Sequence, residues 1–152
     1  MGNWIKRTVV AVSALVLGFT AQTGIASAAT AQPMTFDQCG VNGHSGVHNC
    51  MYIAGGGLSA TEIRGWSTDF SKAIANNNYY SILVHEQVTG PNGTICNSPT
   101  YNVSDPDQIV SCQFQPGGSF SIDAGQYCAI IWEFLYTNEY LNLGENCGTA
   151  SA

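Results

Sequence analysis

The chain has 152 residues with four basic side chains, ten acidic ones and six cysteines, giving a formal net charge of −6. That length and a hydrophobic content of 45% suit one folded domain, and they exclude a multidomain assembly or a disordered acidic tail. So few Lys and Arg residues also exclude a nucleic-acid binder driven by basic charge.

The first segment reads as an address. Lys6 and Arg7 precede an apolar run from Thr8 to about Phe19, and the small residues Ile25-Ala26-Ser27-Ala28-Ala29 follow. This is the layout of a secretory signal peptide, residues 1–29, with a mature chain starting at Ala29 or Thr30. A membrane span needs ~20 apolar residues, and Thr20, Gln22 and Thr23 interrupt this one. Residues 30–152 are then a single secreted domain. With Lys6 and Arg7 removed, only Arg64 and Lys72 face the ten acids, a net charge of −8. Such a surface repels phosphate backbones and anionic lipid, so neither nucleic acid nor a membrane surface is an expected partner.

Cys39, Cys50, Cys96, Cys112, Cys128 and Cys147 all lie in the exported part. An even number of widely spaced cysteines reads as three disulfides, because a metal site calls for tight C-x-x-C pairs. Nearest-neighbour pairing predicts Cys39–Cys50, Cys96–Cys112 and Cys128–Cys147.

Residues 30–50, rich in Gly, Asn and His, read as a bridged N-terminal loop. A short helix is expected at about 60–75. Ser59 and Glu62 fit a capping box, Leu58 and Ile63 fit its hydrophobic staple, and Ile63, Trp66, Phe70 and Ile74 share one helical face. The run Asn76-Asn77-Asn78 would end it. From Tyr79 the period is two: Tyr80, Ile82, Val84 and Val88 share one strand face, while Tyr79, Ser81, His85 and Gln87 share the other. Further strands are expected at 94–96, 108–115, 119–122, 126–135 and 139–143, with Pro116-Gly117-Gly118 as a hairpin turn. The segment 127–135 is apolar in both phases and reads as a central strand covered on both faces. These elements predict a mainly β fold: a disulfide-stabilised antiparallel β-sandwich or barrel, with room for one short helix.

Few side chains suggest chemistry. His44 and His48 are four apart and are the candidate metal ligands, but Gly43 and Gly46 argue against the helix that would align them, so neither a metal nor any other cofactor is expected. Gly43-His44-Ser45-Gly46 has some of the residues of a hydrolase nucleophile elbow without its spacing or its preceding strand, although His85 with Asp105 or Asp107 could be posed as partners. Glu133 falls on the apolar face of its strand with Tyr127, Ile131 and Leu135, and Glu86 lies on the apolar face of another. Two such carboxylates could form a glycosidase-like acid/base pair; otherwise Glu133 sits near a strand end and reaches water. Tyr79, Tyr101, Tyr136 and Tyr140 are placed to meet a ligand, while Trp66 and Trp132 are assigned to the core. Asn92-Gly93-Thr94 and Asn102-Val103-Ser104 match the glycosylation sequon, which acts only in a glycosylating host.

The leading expectation is a small secreted interaction protein without catalysis, whose partner is an extracellular protein or a carbohydrate. A carboxylate hydrolase acting through Glu133 and a proteinase inhibitor presenting the Cys39–Cys50 loop are the alternatives.

Overall fold

The computed structural model describes residues 36–77 and 80–152; the expected signal at 1–29 and the strand-face residue Tyr79 lie outside the described residues. Among the described residues, ten strands form two antiparallel sheets packed face to face, a β-sandwich, accompanied by one short helix. In chain order the strands are β1 (Phe36–Val41), β2 (His48–Gly56) and β3 (Ser59–Thr68), then helix α1 (Ser71–Asn76). They continue with β4 (Ile82–Gly90), β5 (Gly93–Asn97), β6 (Tyr101–Val103), β7 (Val110–Phe114), β8 (Phe120–Ser121), β9 (Gly125–Phe134) and β10 (Tyr140–Ala150). One sheet runs β1-β2-β3-β7, with β8 extending the same edge of β3; the other runs β10-β9-β4-β5, with β6 beside β4.

The helix expected at about 60–75 is a strand over most of its length. Residues 59–68 pair with β2 on one side and with β7 and β8 on the other, and only Ser71–Asn76 is helical. The inward positions of β3 are Ala60, Ile63, Gly65 and Ser67, whereas Arg64 and Trp66 face out. Three of these four inward residues are small, so the period-two signal is weak in hydrophobicity, and the spacing of Ile63, Trp66 and Phe70 imitates a helix. Close packing needs the small residues. A Cβ on Gly65 would stand 2.8 Å from Ala129 Cβ and from Val88 Cγ2, and 3.0 Å from Glu86 Oε1.

Three other expectations change. The segment read as an N-terminal loop contains β1 and the start of β2, paired in register from Phe36↔Ile53 to Val41↔His48. Its residues are mostly polar because β1 is an exposed edge. The hairpin at Pro116-Gly117-Gly118 is absent: β7 and β8 both pair with β3, so these residues make an excursion within one interrupted edge strand. Strand β9 is central in its sheet, but Ile130, Trp132 and Phe134 on its outer face are half-exposed, with no layer above them.

The three bridges join Cys39–Cys50, Cys96–Cys112 and Cys128–Cys147. The first and third link directly opposite residues on paired strands, β1 with β2 and β9 with β10. The second ties β5 to β7 and so staples one sheet to the other. Three such bridges fit an oxidising, extracellular compartment.

The interior is divided in two. Met51, Ile53, Ile63, Val88 and Ala129 belong to one buried apolar cluster; Val47, Phe70, Val84, Val110 and Ile131 belong to the other. A polar layer lies between them. Asn49 follows Val47 and precedes Met51 by two residues, and Glu86 stands likewise between Val84 and Val88, so the same alternation that buries the aliphatic side chains buries these.

Candidate functional site

Glu86 is completely buried. Its Oε1 accepts a hydrogen bond from Asn49 Nδ2 at 3.0 Å and its Oε2 accepts one from Ser67 Oγ at 2.7 Å, while Asn49 Nδ2 also donates to Ser67 Oγ at 2.9 Å. Burial pushes the carboxyl up from about 4.5 to about 8, against the smaller lowering effect of these two bonds. It lines none of the described cavities. Its main chain bonds sideways along the β5 edge of the strand: Glu86 N donates to Ser98 Oγ and Ser98 N donates to Glu86 O, both at 2.8 Å, fixing the segment after β5.

Glu133 lies on the same inner face, opposite Val84, while Glu86 is opposite Ile131. The two carboxylates are therefore diagonal neighbours on adjacent strands, but they do not share a cavity. Glu133 does not reach water at the strand end: only 4% of it is exposed. Its Oε1 accepts a 2.6 Å bond from Asn77 Nδ2, and its Oε2 has no hydrogen-bond partner among the described residues. Burial raises its pKa above the usual carboxylate range, with the Asn77 bond acting weakly in the opposite direction. Glu133 and Asn77 together wall two cavities of about 160 and 350 Å³.

His44 and His48 are both exposed. His44 stands at the tip of the turn between β1 and β2, where Asn42 Oδ1 accepts from the backbone N–H groups of His44 and Ser45. His48 opens β2, opposite Val41 and Thr68. Among the described residues, the one close group of three metal-ligating side-chain types is Cys128, Glu145 and Cys147, whose two sulfurs are joined in a bridge. Ser45 is buried, and its hydroxyl donates to Leu143 O, so it is held as structure. Val47 is buried as well, so the exposed positions of the Cys39–Cys50 segment are Cys39, Val41, Gly43, His44 and His48. Asn92 and Asn102 of the two sequons are exposed.

A concavity lies on the outer face of the second sheet. It encloses about 510 Å³ between β4, β9, the start of β10 and the segment after β5. His85 and Trp132 are directly opposite each other, as are Gln87 and Asn97. Trp132 Nε1 donates to Gln87 Oε1 at 3.1 Å, which holds the indole in place. Tyr140, 57% exposed, meets His85 edge-on at 5.2 Å between ring centres and leans on Phe134 at the same separation. Ser98 and Thr100 complete the wall. No carboxylate and no lysine or arginine lines this groove. Partial burial holds the His85 pKa below its usual value, favouring the neutral imidazole.

Trp132 is thus a groove residue and not a core one, and Trp66 is likewise on an outer face, half-buried, beneath the Arg64 guanidinium at 4.7 Å. The strand phase carries the signal for both: each alternates with residues that point inward. Tyr140 was expected near a ligand. Gln87, Asn97, Ser98 and Thr100 are added by the sheet order, which brings three segments distant in sequence to one surface. Comparison with protein-family models, curated proteins and solved structures gives no match.

Proposed function

We propose that this chain is a secreted, non-catalytic binding protein that recognises carbohydrate in the groove between His85, Trp132 and Tyr140. The observation that carries the reading is the groove's composition: ringed side chains interleaved with neutral amides and hydroxyls, without a fixed charge. Apolar C–H faces of a sugar pack on aromatic rings, and its hydroxyls pair with groups that both donate and accept. The volume of about 510 Å³ falls within the ~300–1,000 Å³ of typical small-ligand sites. Bridged cysteines and an acidic, mostly uncharged surface support work outside the cell.

The test is retention of the exported protein on insoluble polysaccharides, followed by titration with the soluble oligosaccharides of any that retain it. Trp132→Ala is expected to lower affinity about 10- to 30-fold, or ~1.4–2 kcal/mol. Equal binding by this variant, or no retention on any polysaccharide, would overturn the reading.

A second reading, a carboxylate hydrolase, draws on the burial and raised pKa of Glu133 beside a cleft. It lacks an accessible second carboxylate, since Glu86 is sealed in the core. Turnover of a polysaccharide or peptide that falls ~100- to 10,000-fold in Glu133→Gln would favour it.

A further inference from the structure

The Glu133 cleft shares no lining residue with the groove. It combines a nearly fully buried carboxylate with an oxygen that nothing in the described residues satisfies. An ionised carboxylate in such a place is costly unless a charged donor reaches it. The lysine and the arginine among the described residues are occupied elsewhere. Lys72 Nζ donates to Gly43 O at 2.8 Å, and Arg64 lies 3.7 Å from Glu62 and stacks over Tyr52 and Trp66. The larger cavity beside Glu133 has a mixed wall, with Leu141, Leu143 and Ala73 as its apolar part.

We propose that this cleft binds a primary alkylammonium group, with the ammonium on the Glu133 carboxylate and the alkyl stem against Leu141 and Leu143. The same chemistry is offered by a free alkylamine and by a lysine side chain of a peptide. A divalent metal fits less well, because hard cations collect six or more oxygen ligands and the cleft offers a single carboxylate, with His44, Ser45 and the amides of Asn76 and Asn77 as the other polar groups of its larger cavity. A neutral alcohol can hydrogen-bond to Glu133 but cannot balance its charge. The acidic net charge of the exported chain favours the approach of cations at long range.

The experiment is an NMR titration of the exported protein with n-butylammonium chloride, with n-butanol, sodium chloride and Nα-acetyl-lysine amide as parallel arms. Saturable shifts around Asn77 and Glu133 are expected for both amines, with n-butylammonium at least ~10-fold tighter than n-butanol. Binding of only one amine would assign the source. Glu133→Gln should weaken amine binding ~10-fold or more, while Leu141→Ala should weaken n-butylammonium more than methylammonium. Trp132→Ala should leave amine affinity unchanged, which separates this site from the groove. The proposal fails if neither amine gives a saturable shift, if sodium chloride reproduces the shifts, or if butanol binds as well as the ammonium. It also fails if folded Glu133→Gln keeps wild-type affinity. Should that variant not fold, the ammonium-to-butanol ratio and the Leu141→Ala comparison decide.

Discussion

At the scale of single residues, the sandwich is set by what can stand opposite Glu86. Asn49 and Ser67 supply its hydrogen bonds, and Gly65 supplies room. An alanine at position 65 must place its methyl group against Ala129 Cβ, Val88 Cγ2 and Glu86 Oε1, all three of which belong to the tightly packed second sheet. Neither Ala129 Cβ nor the β-branched Val88 has a flexible end that can swing away. Gly65→Ala is therefore expected to destabilise the fold by ~1–3 kcal/mol through overpacking, read as a lower urea midpoint with an unchanged slope. A midpoint equal to that of the wild type would show that the two sheets can separate locally at little cost. Asn49→Leu makes a different demand: it removes the Asn49 bond to Glu86 while keeping similar bulk. Loss of a buried partner costs ~1–3 kcal/mol, and thermal unfolding of this variant measures it.

At the scale of elements, legibility followed side-chain size. Strands β4 and β9 could be read from sequence because large aliphatics such as Ile82, Val84 and Val88 recur with period two. Strand β3 could not, since Gly65 and Ser67 occupy its inward positions and the large residue Trp66 points out. Edge strand β1 had no apolar face to reveal it. The bridges could be anticipated because each joins neighbours in the cysteine order, and two lie across directly paired strands. Both misplaced carboxylates were visible as breaks in an apolar phase. Their different fates were not, because which one is sealed and which one opens on a cleft depends on what packs across the sandwich. The groove was the least legible feature, since it exists only where β5 and β10 flank β4 and β9. A prediction follows from the bridge that crosses between sheets. Replacing both Cys96 and Cys112 by alanine is expected to cost ~3 kcal/mol, the loop-closure value for a segment of this length. Because β5 is an edge strand joined to β4 by only a few pairs, its amides should also exchange faster with solvent, while those of central β9 change least. Unchanged stability together with unchanged β5 protection would show that packing alone holds the two sheets together there.

For the whole molecule, the buried carboxyls tie stability to pH, and the sign can be worked out from them. Below pH 4.5 Glu86 is protonated in both folded and unfolded chains and has no effect. Above that, the unfolded chain releases the proton while the folded chain keeps it up to about pH 8. Folding then requires proton uptake, so stability falls by as much as ~1.4 kcal/mol per pH unit across this window and levels off above it. The ceiling for Glu86 is ~5 kcal/mol before any relaxation of the interior. Glu133, whose pKa is also raised, acts in the same direction. His85 acts in the opposite direction, since its lowered pKa means that stability is lost as pH falls through 6.5 toward its folded value. It is only partly buried, and its contribution is smaller. Repulsion within the acidic chain adds to the loss at high pH. The stability maximum is thus expected near pH 5, on the acid side of neutrality. Thermal midpoints measured at pH 5 and pH 8.5 should differ by about 10 °C or more, the higher one at pH 5. Glu86→Gln tests the origin, because the amide matches the neutral acid in shape and has no proton to lose. Its midpoint should stay close to the wild-type value at pH 5 and exceed it at pH 8.5, leaving the slope due to Glu133 and to repulsion within the acidic chain. If the wild-type midpoint is the same at both pH values, Glu86 is ionised in the fold, and Asn49 and Ser67 are then sufficient to hold a buried charge. If the steep slope persists in the Gln variant, its source lies in another group.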